Sequence, residues 1–549
     1  MNIDLYIIYS VIGIYLLRKL QIRLRLSIAK HPSLAGHSKM ARRIAKLIPS
    51  CNFDEVCFFS VDHAPNDIEN KRKTGFYKLA EQFSSKSPIT LNKSEEIEGS
   101  ISDIDFTRSY RVPFQFSAFI KNNLKLGSLV CESKGTQIKD LDDNWSYDLT
   151  GSYGVNVFGY EFYKDCMEKG LEQIKDLGPV LGPYHPVIVE NVKYLKDISG
   201  LDEVSFHMSG TEAVMQAVRL ARYHTGKSHL VRFCGAYHGW WDGVQPGVGN
   251  QRNNNDIYTL KDMDSDTLKV LKTRNDIACI LINPLQAMHP NINPPSDAML
   301  ISSGRKAHYD KKLYKKWLHE LREVCDERGI VLIMDEIFVG FRLAYRGAQE
   351  YFSVKADMVT YGKTLGGGLP VGVVCGKKEL MKRFKEEQPA HISFARGTFN
   401  SHPLVMATMN EFLKKTNTPE IQASYKEIDK YWDNRVNTLN HKLAEKHLPI
   451  KIVNMVSVWT ILFAVPSRYN WMYQFYLRAQ GLSVSWVGSG RIIMSHDYSD
   501  REYGAVMQKI ITAAEEMKKD GWWWENKELT NKSIKRQVVR ELVASFIRN

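Results

Sequence analysis

From about residue 204 to 375 the chain alternates short apolar runs with amphipathic stretches. HLVRF (229–233), ACILIN (278–283), GIVLIMD (329–335) and MVTYG (358–362) read as strands. GIVLIMD is nearly continuously apolar and β-branched, which suits a parallel strand buried on both faces. Helical stretches such as KLYKKWLHELREVCDERG (312–329) separate these runs and give the βαβ rhythm of a doubly wound sheet. Upstream, TQIKDLDDNWSYDLTGSYG (136–154) predicts two short strands joined by an Asp-Asp-Asn turn. Helices are expected near 160–176 and 188–198. Beyond about 405, helices and the shorter strands KIVNMVSVWTILFA (451–464) and RIIMS (491–495) predict a smaller C-terminal domain. Residues 51–120 carry no motif, and SSKSPITLNKSEEIEGS (84–100) reads as a loose polar stretch. After GWWWEN (521–526), Ile534, Val538, Leu542 and Phe546 recur every four residues, one apolar helical face that docks on the body or on a partner.

The pattern therefore divides the chain into a basic arm (1–50), an extension (51–124), a large α/β domain (125–404), a small α/β domain (405–520) and a terminal amphipathic helix (521–549). The arm opens with LYIIYSVIGIYLL (5–17), an uncharged run followed by RKLQIRLRL. A spanning helix needs about 20 apolar residues, so this run is short. A secretory signal carries its positive charge before the apolar run, whereas here the charge follows it. The basic flank suits a run dipping into or barely crossing the membrane from the cytoplasmic side; a helix buried against the body is the other reading. KMARRIAKLI (39–48) adds a basic amphipathic segment.

Composition narrows the picture further. Across 549 residues the net charge is +13, but residues 1–50 hold nine Lys/Arg against the single acid Asp4. The excess is thus concentrated in the arm, and no nucleic-acid-binding motif accompanies it. The eight cysteines are scattered without a CxxC, so neither a zinc site nor a disulfide framework is indicated and reduced intracellular thiols are expected.

Three features fall at expected strand ends, where ligands sit in open α/β sheets. Asp335 ends GIVLIMD, Lys363 follows MVTYG, and SGTEA (209–213) precedes the helical AVMQAVRLARYHTG. Ser-Gly-Thr at a helix start offers N–H groups and hydroxyls to a phosphate, although Ser or Thr there is commonly only a cap. YGKTLGGGLPVG (361–372) is not a P-loop, since its lysine precedes the glycines instead of closing the loop. The question is then what a lysine does beside so tight a turn.

MSGTEAVMQAVRLAR (208–222), FCGAYHGWWDG (233–243), LIMDEIFVGFR (332–342), YGKTLGGGLPVG and RGTFNSHPLVMA (396–407) together resemble the class III aminotransferases. That group includes glutamate-1-semialdehyde aminomutase and has the fold type I, aspartate-aminotransferase-like architecture of pyridoxal-phosphate enzymes. The likeness covers about 125 to 520. It implies pyridoxal 5'-phosphate as cofactor, with Lys363 forming the Schiff base and shuttling the proton, and Asp335 paired with the pyridine nitrogen. It further implies that Ser209, Gly210 and Thr211 hold the phosphate, that Thr398 completes the grip from the other subunit of a homodimer, and that Tyr237 stacks on the ring. His238 stands beside Tyr237, either touching the cofactor or packed behind it.

One departure is NPLQAMHP (283–290), where the family usually has Glu-Pro-Val. Gln286 is then the residue left to reach the cofactor's phenolic oxygen. This segment, the following PNINPPSDAMLISSGRKAHYDKK and the WDG after Tyr237-His238 are similar to enzymes of specialised biosynthesis that aminate fatty aldehydes or carrier-bound acyl chains. The expectation is an aminotransferase moving an amino group from an amine donor to a lipophilic carbonyl acceptor, free or on a carrier protein, at a cytoplasmic membrane surface. An intramolecular aminomutase acting on an amino-aldehyde, and an inactive membrane-tethered scaffold, are the alternatives.

Overall fold

The computed structural model describes residues 3–31, 36–245, 247–252, 255–288, 307–485 and 491–548. Most of the insertion that follows NPLQ, and Gly488 to Gly490 before RIIMS, lie outside them. Contacts divide the chain into two units. One comprises Met1–Ala45, Lys169–Pro294 and Asp310–Thr418; the other is built mainly from Lys46–Glu168 and Pro419–Asn549.

The first unit is organised on a seven-stranded sheet. Its strands in chain order are β1 (Glu203–His207), β2 (His229–Phe233), β3 (Ile257–Leu260), β4 (Ile277–Ile282), β5 (Val331–Asp335), β6 (Met358–Gly362) and β7 (Gly372–Gly376). Their order in space is β1-β7-β6-β5-β4-β2-β3. β6, β5, β4, β2 and β3 pair in parallel, and β7 alone runs antiparallel to both neighbours. The reason is local: the turn after Lys363 sends the chain straight back, whereas the other links cross over through longer segments. Every residue of β4, β5, β6 and β7 is buried, as expected for strands covered on both faces.

The helices of this unit that matter below are α1 (Ile3–Ala29), α2 (Ser38–Leu47), α3 (Gly210–Thr225) and α4 (Ser265–Thr273). α3 lays Ala213, Val214, Ala217, Val218 and Ala221 on the sheet. These small side chains allow close approach, and Gly226 in the left-handed conformation ends the helix. The helix Pro403–Thr416 also belongs to this unit and not to a separate C-terminal domain starting at 405. Asn191 explains the attachment, donating Nδ2–H to Met406 O at 2.8 Å and accepting from Asn410 Nδ2 at 3.0 Å.

The second unit joins chain segments far apart in sequence. Trp145–Asp148 pairs with Gln137–Lys139 on one side and, in parallel, with Leu482–Ser483 on the other. The stretch 84–100 is mostly helical and not a loose loop, being covered by Asn66–Lys86 and Pro88–Glu96. Its stabilising partner lies elsewhere. Asp142, in the turn between the two short strands, accepts from Ile89 N and Thr90 N at 2.8 Å each and so caps the second helix. Residues 51–120 also supply the aromatic core: Phe58, Phe76 and Phe116 pack edge to face, and Trp471 joins Phe116 at 4.9 Å. Within this core Arg72 meets Asp62 through two hydrogen bonds of 2.7 Å, both side chains fully buried. The terminal helix Asn531–Arg548 docks through Ile534 and through Glu541, which pairs with Arg468, while Phe546 remains exposed.

Candidate active site

The sequence-predicted residues cluster beyond the carboxyl ends of the parallel strands. Ser209 follows β1, Tyr237 and His238 follow β2, Gln286 follows β4, Asp335 ends β5 and Lys363 follows β6. Asp335 stands opposite Thr360 in the β5–β6 ladder, so the lysine leaves the adjacent strand three residues, about 10 Å, beyond the level of the carboxylate.

Asp335 is fixed from three sides. Its Oδ2 accepts from His238 Nδ1 at 2.7 Å, and its Oδ1 accepts from Ile337 N at 3.1 Å and from Thr360 Oγ1 at 3.3 Å. A carboxylate offers about four acceptor positions, so one position of Asp335 is left for a further donor. His238 is fully buried, and burial pushes its pKa down against the opposing pull of Asp335. The imidazole is thus neutral, and its Nδ1–H points at the carboxylate. His238 thus braces Asp335 through Nδ1, while its buried Nε2 has no hydrogen-bond partner among the described residues.

Lys363 sits in the left-handed region at φ 49°, the first residue of the turn that reverses into β7. Burial pushes its pKa down to about 8, Arg342 adds to the effect and Asp335 opposes it. Its Nζ lies 5.1 Å from the centre of the Phe338 ring.

At the start of α3, Ser209 caps the helix by accepting from Glu212 N at 3.3 Å. The first N–H groups, those of Gly210 and Thr211, have no partner within the helix and sit at its positive end. Two glycines allow the surrounding chain to come this close. A Cβ on Gly372 would stand 2.0 Å from Ser209 O, and one on Gly239, at φ 90°, would stand 2.4 Å from Thr211 Oγ1. Gln286 donates Nε2–H to Cys234 O at 2.8 Å, while its buried Oε1 has no hydrogen-bond partner among the described residues. Asn283, at the position of the family's usual Glu, donates to Tyr237 O at 3.4 Å and so positions that loop. Tyr237 itself is 63% exposed. Thr398 is exposed in a turn between Gln388–Ile392 and Pro403–Thr416 and makes no hydrogen bond to this group of residues.

Three contributors carried no role in the sequence reading although they stand in the quoted LIMDEIFVGFR. Phe338 lies beside Lys363. Arg342, fully buried, lowers the lysine's proton affinity. Glu336 accepts from Ala348 N at 2.6 Å and Gln349 N at 3.1 Å, pinning the loop behind Asp335, and burial pushes its pKa up to about 8. For Glu336 and Arg342 the signal was present as charged residues in an otherwise apolar stretch following β5; Phe338 carried none.

A buried lysine of lowered pKa, a carboxylate with one acceptor position left, and a glycine-lined helix start fit pyridoxal phosphate at its aldehyde, ring nitrogen and phosphate. With the sheet topology, these features define a pyridoxal-phosphate-dependent enzyme of fold type I. Within that class the chain belongs to the class III aminotransferases, the family matched by residues 119–499. Pyridoxal 5'-phosphate is the cofactor of that family and of this enzyme. Class III enzymes act on small-molecule amines and carbonyls and are commonly dimeric.

The chain is 32% identical over 350 residues to the glutamate-1-semialdehyde 2,1-aminomutase of Methanocaldococcus jannaschii, covering 60% of this chain and 75% of that one. It is also 32% identical over 321 residues to the protein of the same name from Persephonella marina, covering 54% and 69%. Among solved structures, a transaminase with PLP bound superposes with a TM-score of 0.63 at 22% identity, covering 80% of this chain and 99% of that one. A glutamate-1-semialdehyde-aminomutase from Pseudomonas aeruginosa PAO1 gives 0.64 at 16% identity, covering 82% and 99%. At such identities the structural likeness concerns the fold.

Proposed function

We propose that the enzyme transfers an amino group from an amine donor to a lipophilic carbonyl acceptor, with Lys363 as the reacting amine and proton carrier. The observation that carries this reading is the adjacency of Lys363, its pKa lowered to about 8, and Asp335, braced by His238 at 2.7 Å. Bound pyridoxal phosphate supplies an electrophilic aldehyde and a ring that takes up electron density from the substrate's Cα. Lys363 Nζ, unprotonated in an appreciable fraction of molecules near neutral pH, would be the amine that holds the cofactor through its aldehyde and the group that moves the proton at the reacting carbon. Asp335 holds a proton on the ring nitrogen, and His238 keeps the carboxylate aimed. The Gly210 and Thr211 N–H groups, with the hydroxyls of Ser209 and Thr211, bind the phosphate. Tyr237 would hold the ring by its face, and Gln286, whose buried Oε1 has no hydrogen-bond partner among the described residues, would serve the phenolic oxygen. Thr398, exposed and without a hydrogen bond to the other site residues, is assigned to the phosphate of the second subunit in a homodimer.

The lipophilic acceptor is supported by the exposed apolar residues of α1, among them Ile7, Ile14 and Leu17, which suit an enzyme working at a membrane surface. No helix among the described residues is long and apolar enough to cross a membrane, so the reading is of a helix lying in the interface. Delivery of the acceptor on a carrier protein is a variant of the same reading, within a specialised biosynthetic pathway.

An intramolecular aminomutase is the second reading, favoured by the names of the relatives at 32% identity. The test supplies the holoenzyme with an amine donor and aldehydes of rising chain length, and separately with glutamate 1-semialdehyde alone. Turnover that increases with chain length supports the transferase, while turnover of the semialdehyde without a donor supports the mutase. Lys363→Ala is expected to abolish both activities and the borohydride-reducible adduct; retention of the adduct would remove Lys363 from its role.

A further inference from the structure

The chemistry assigned to Lys363 and Asp335 uses no residue of α1 or α2. α1 is apolar around its circumference, with Tyr6, Val11, Ile14, Leu16 and Leu17 all more than half exposed. Its C-terminal part is fastened, packing against α4. Ala29 is fully buried, its carbonyl accepts from Lys261 N at 3.0 Å, and Lys30 bridges Leu260 at the end of edge strand β3. α2 carries Met40, Ile44 and Leu47 exposed on one face. It is tied to the same unit through Arg42, whose Nη1 donates to Asn250 O at 2.8 Å.

A cavity of about 480 Å³ opens where the two helices meet β3, and its lining includes Lys30, His37, Lys39, Arg43, Asn255 and Tyr258. Three cations and a histidine converge there, and no carboxylate among the described residues lines the cavity. Asp256 and Asp276 are engaged elsewhere, by Arg222 at 2.8 Å and by Arg274. Lys39 donates to Asn255 Oδ1 at 3.2 Å, which steers its ammonium into the cavity wall. Neither Lys30 nor Arg43 makes an ion pair among the described residues. Burial and the neighbouring Lys39 both push the pKa of Lys30 down, as happens to a cation held near like charge without a counter-ion.

We propose that this cavity receives the phosphate of an anionic phospholipid headgroup, while the apolar faces of α1 and α2 enter the acyl layer of the same bilayer. The proposal rests on the membrane-surface reading above. Charge complementarity selects the occupant: nine Lys/Arg against one acid in residues 1–50 match an anionic surface, and a phosphate satisfies several of the converging N–H donors at once. Since both helices are fastened to the unit that carries Lys363, lipid bound here positions the active site relative to the bilayer.

The test uses full-length holoenzyme and sedimentation with vesicles of phosphatidylcholine, with or without phosphatidylglycerol. Binding is expected to require phosphatidylglycerol. Replacing Lys30, Lys39 and Arg43 by Gln is expected to weaken it roughly 100-fold, at about fivefold per charge near a lipid surface. Two variants of equal charge separate the cavity from a diffuse field. Asn255→Asp places a carboxylate inside the cavity and is expected to remove the lipid preference, whereas Gln251→Glu, on the exposed loop outside the lining, is expected to keep most of it. Unchanged melting and cofactor absorbance show that each variant is folded. Equal effects of the two variants would overturn the cavity as the site. Equal binding to both vesicles would overturn it too while leaving the membrane reading intact, and binding to neither would remove both. Saturable binding of soluble glycerol phosphate by a protein that ignores vesicles would assign the cavity to a free phosphate and overturn the lipid.

Discussion

Arg342→Gln and Asp335→Asn are expected to move the proton affinity of Lys363 in opposite directions. Burial is the largest cause of its lowered pKa, Arg342 adds to it and Asp335 opposes it. At pH 7 an amine of pKa about 8 is neutral in about 9% of molecules, against about 0.03% at the ordinary 10.5. The site thus gains roughly 300-fold in reactive amine, equivalent to about 3 kcal/mol. The assay mixes apoenzyme with pyridoxal phosphate and follows the rise of visible absorbance as a function of pH. For the wild-type protein the rate is expected to climb with pH and level off above about 8. The profile of Arg342→Gln is expected to shift to higher pH, with a slower rate at pH 7 and a similar plateau. Asp335→Asn is expected to shift to lower pH. Arg342→Gln leaves the partner of the ring nitrogen in place, so its shift belongs to the lysine; for Asp335→Asn a parallel pH titration of the bound cofactor's absorbance separates the ring's own ionisation. A wild-type rate still climbing through pH 10, or two variants shifting the same way, would refute the electrostatic account.

Two further outcomes follow from buried charge. Asp62→Ala strands Arg72 in an aromatic core, where breaking a buried pair costs about 3–5 kcal/mol; a loss under about 1 kcal/mol in denaturant unfolding would show that the pair is not desolvated as its full burial implies. Glu336 has a pKa raised from 4.5 to about 8 in the folded chain. The stability it contributes is complete below the unfolded pKa and is lost as pH rises through the window from 4.5 to about 8. Glu336→Gln is therefore expected to flatten the pH dependence of stability between pH 5 and 8, and an unchanged slope would argue that Glu336 is ionised throughout.

The strands of the catalytic sheet were legible because burial on both faces leaves an unmistakable apolar run, and MVTYG forms a strand with the predicted boundaries. The chemistry was legible for a related reason: Asp335 and Lys363 are the charged residues that interrupt or end such runs. What stayed hidden depends on partners far along the chain. The helix Pro88–Glu96 looks like a loop until Asp142 supplies its cap. The domain boundary near 405 looked natural because hydrophobic period does not say what a helix packs against, and Asn191 decides that for Pro403–Thr416. His238 could be placed near Tyr237 by sequence, but its bond to Asp335 spans two strand ends that only the folded sheet brings together.

β7 has a consequence for how this site can vary. Gly372 is the ladder partner of Gly362 on one side and of His207 on the other. One residue thus sets the level of the lysine that follows Gly362 and of the helix start that follows His207. With strands about 4.8 Å apart, β7 works as a crossbar about 10 Å wide between the two ends of the site. A deletion in the turn between Lys363 and Gly372 would slide the crossbar against both uprights at once, displacing Lys363 and the start of α3 together. The loops after β2 and β4 lie outside that span, so changes there leave it undisturbed.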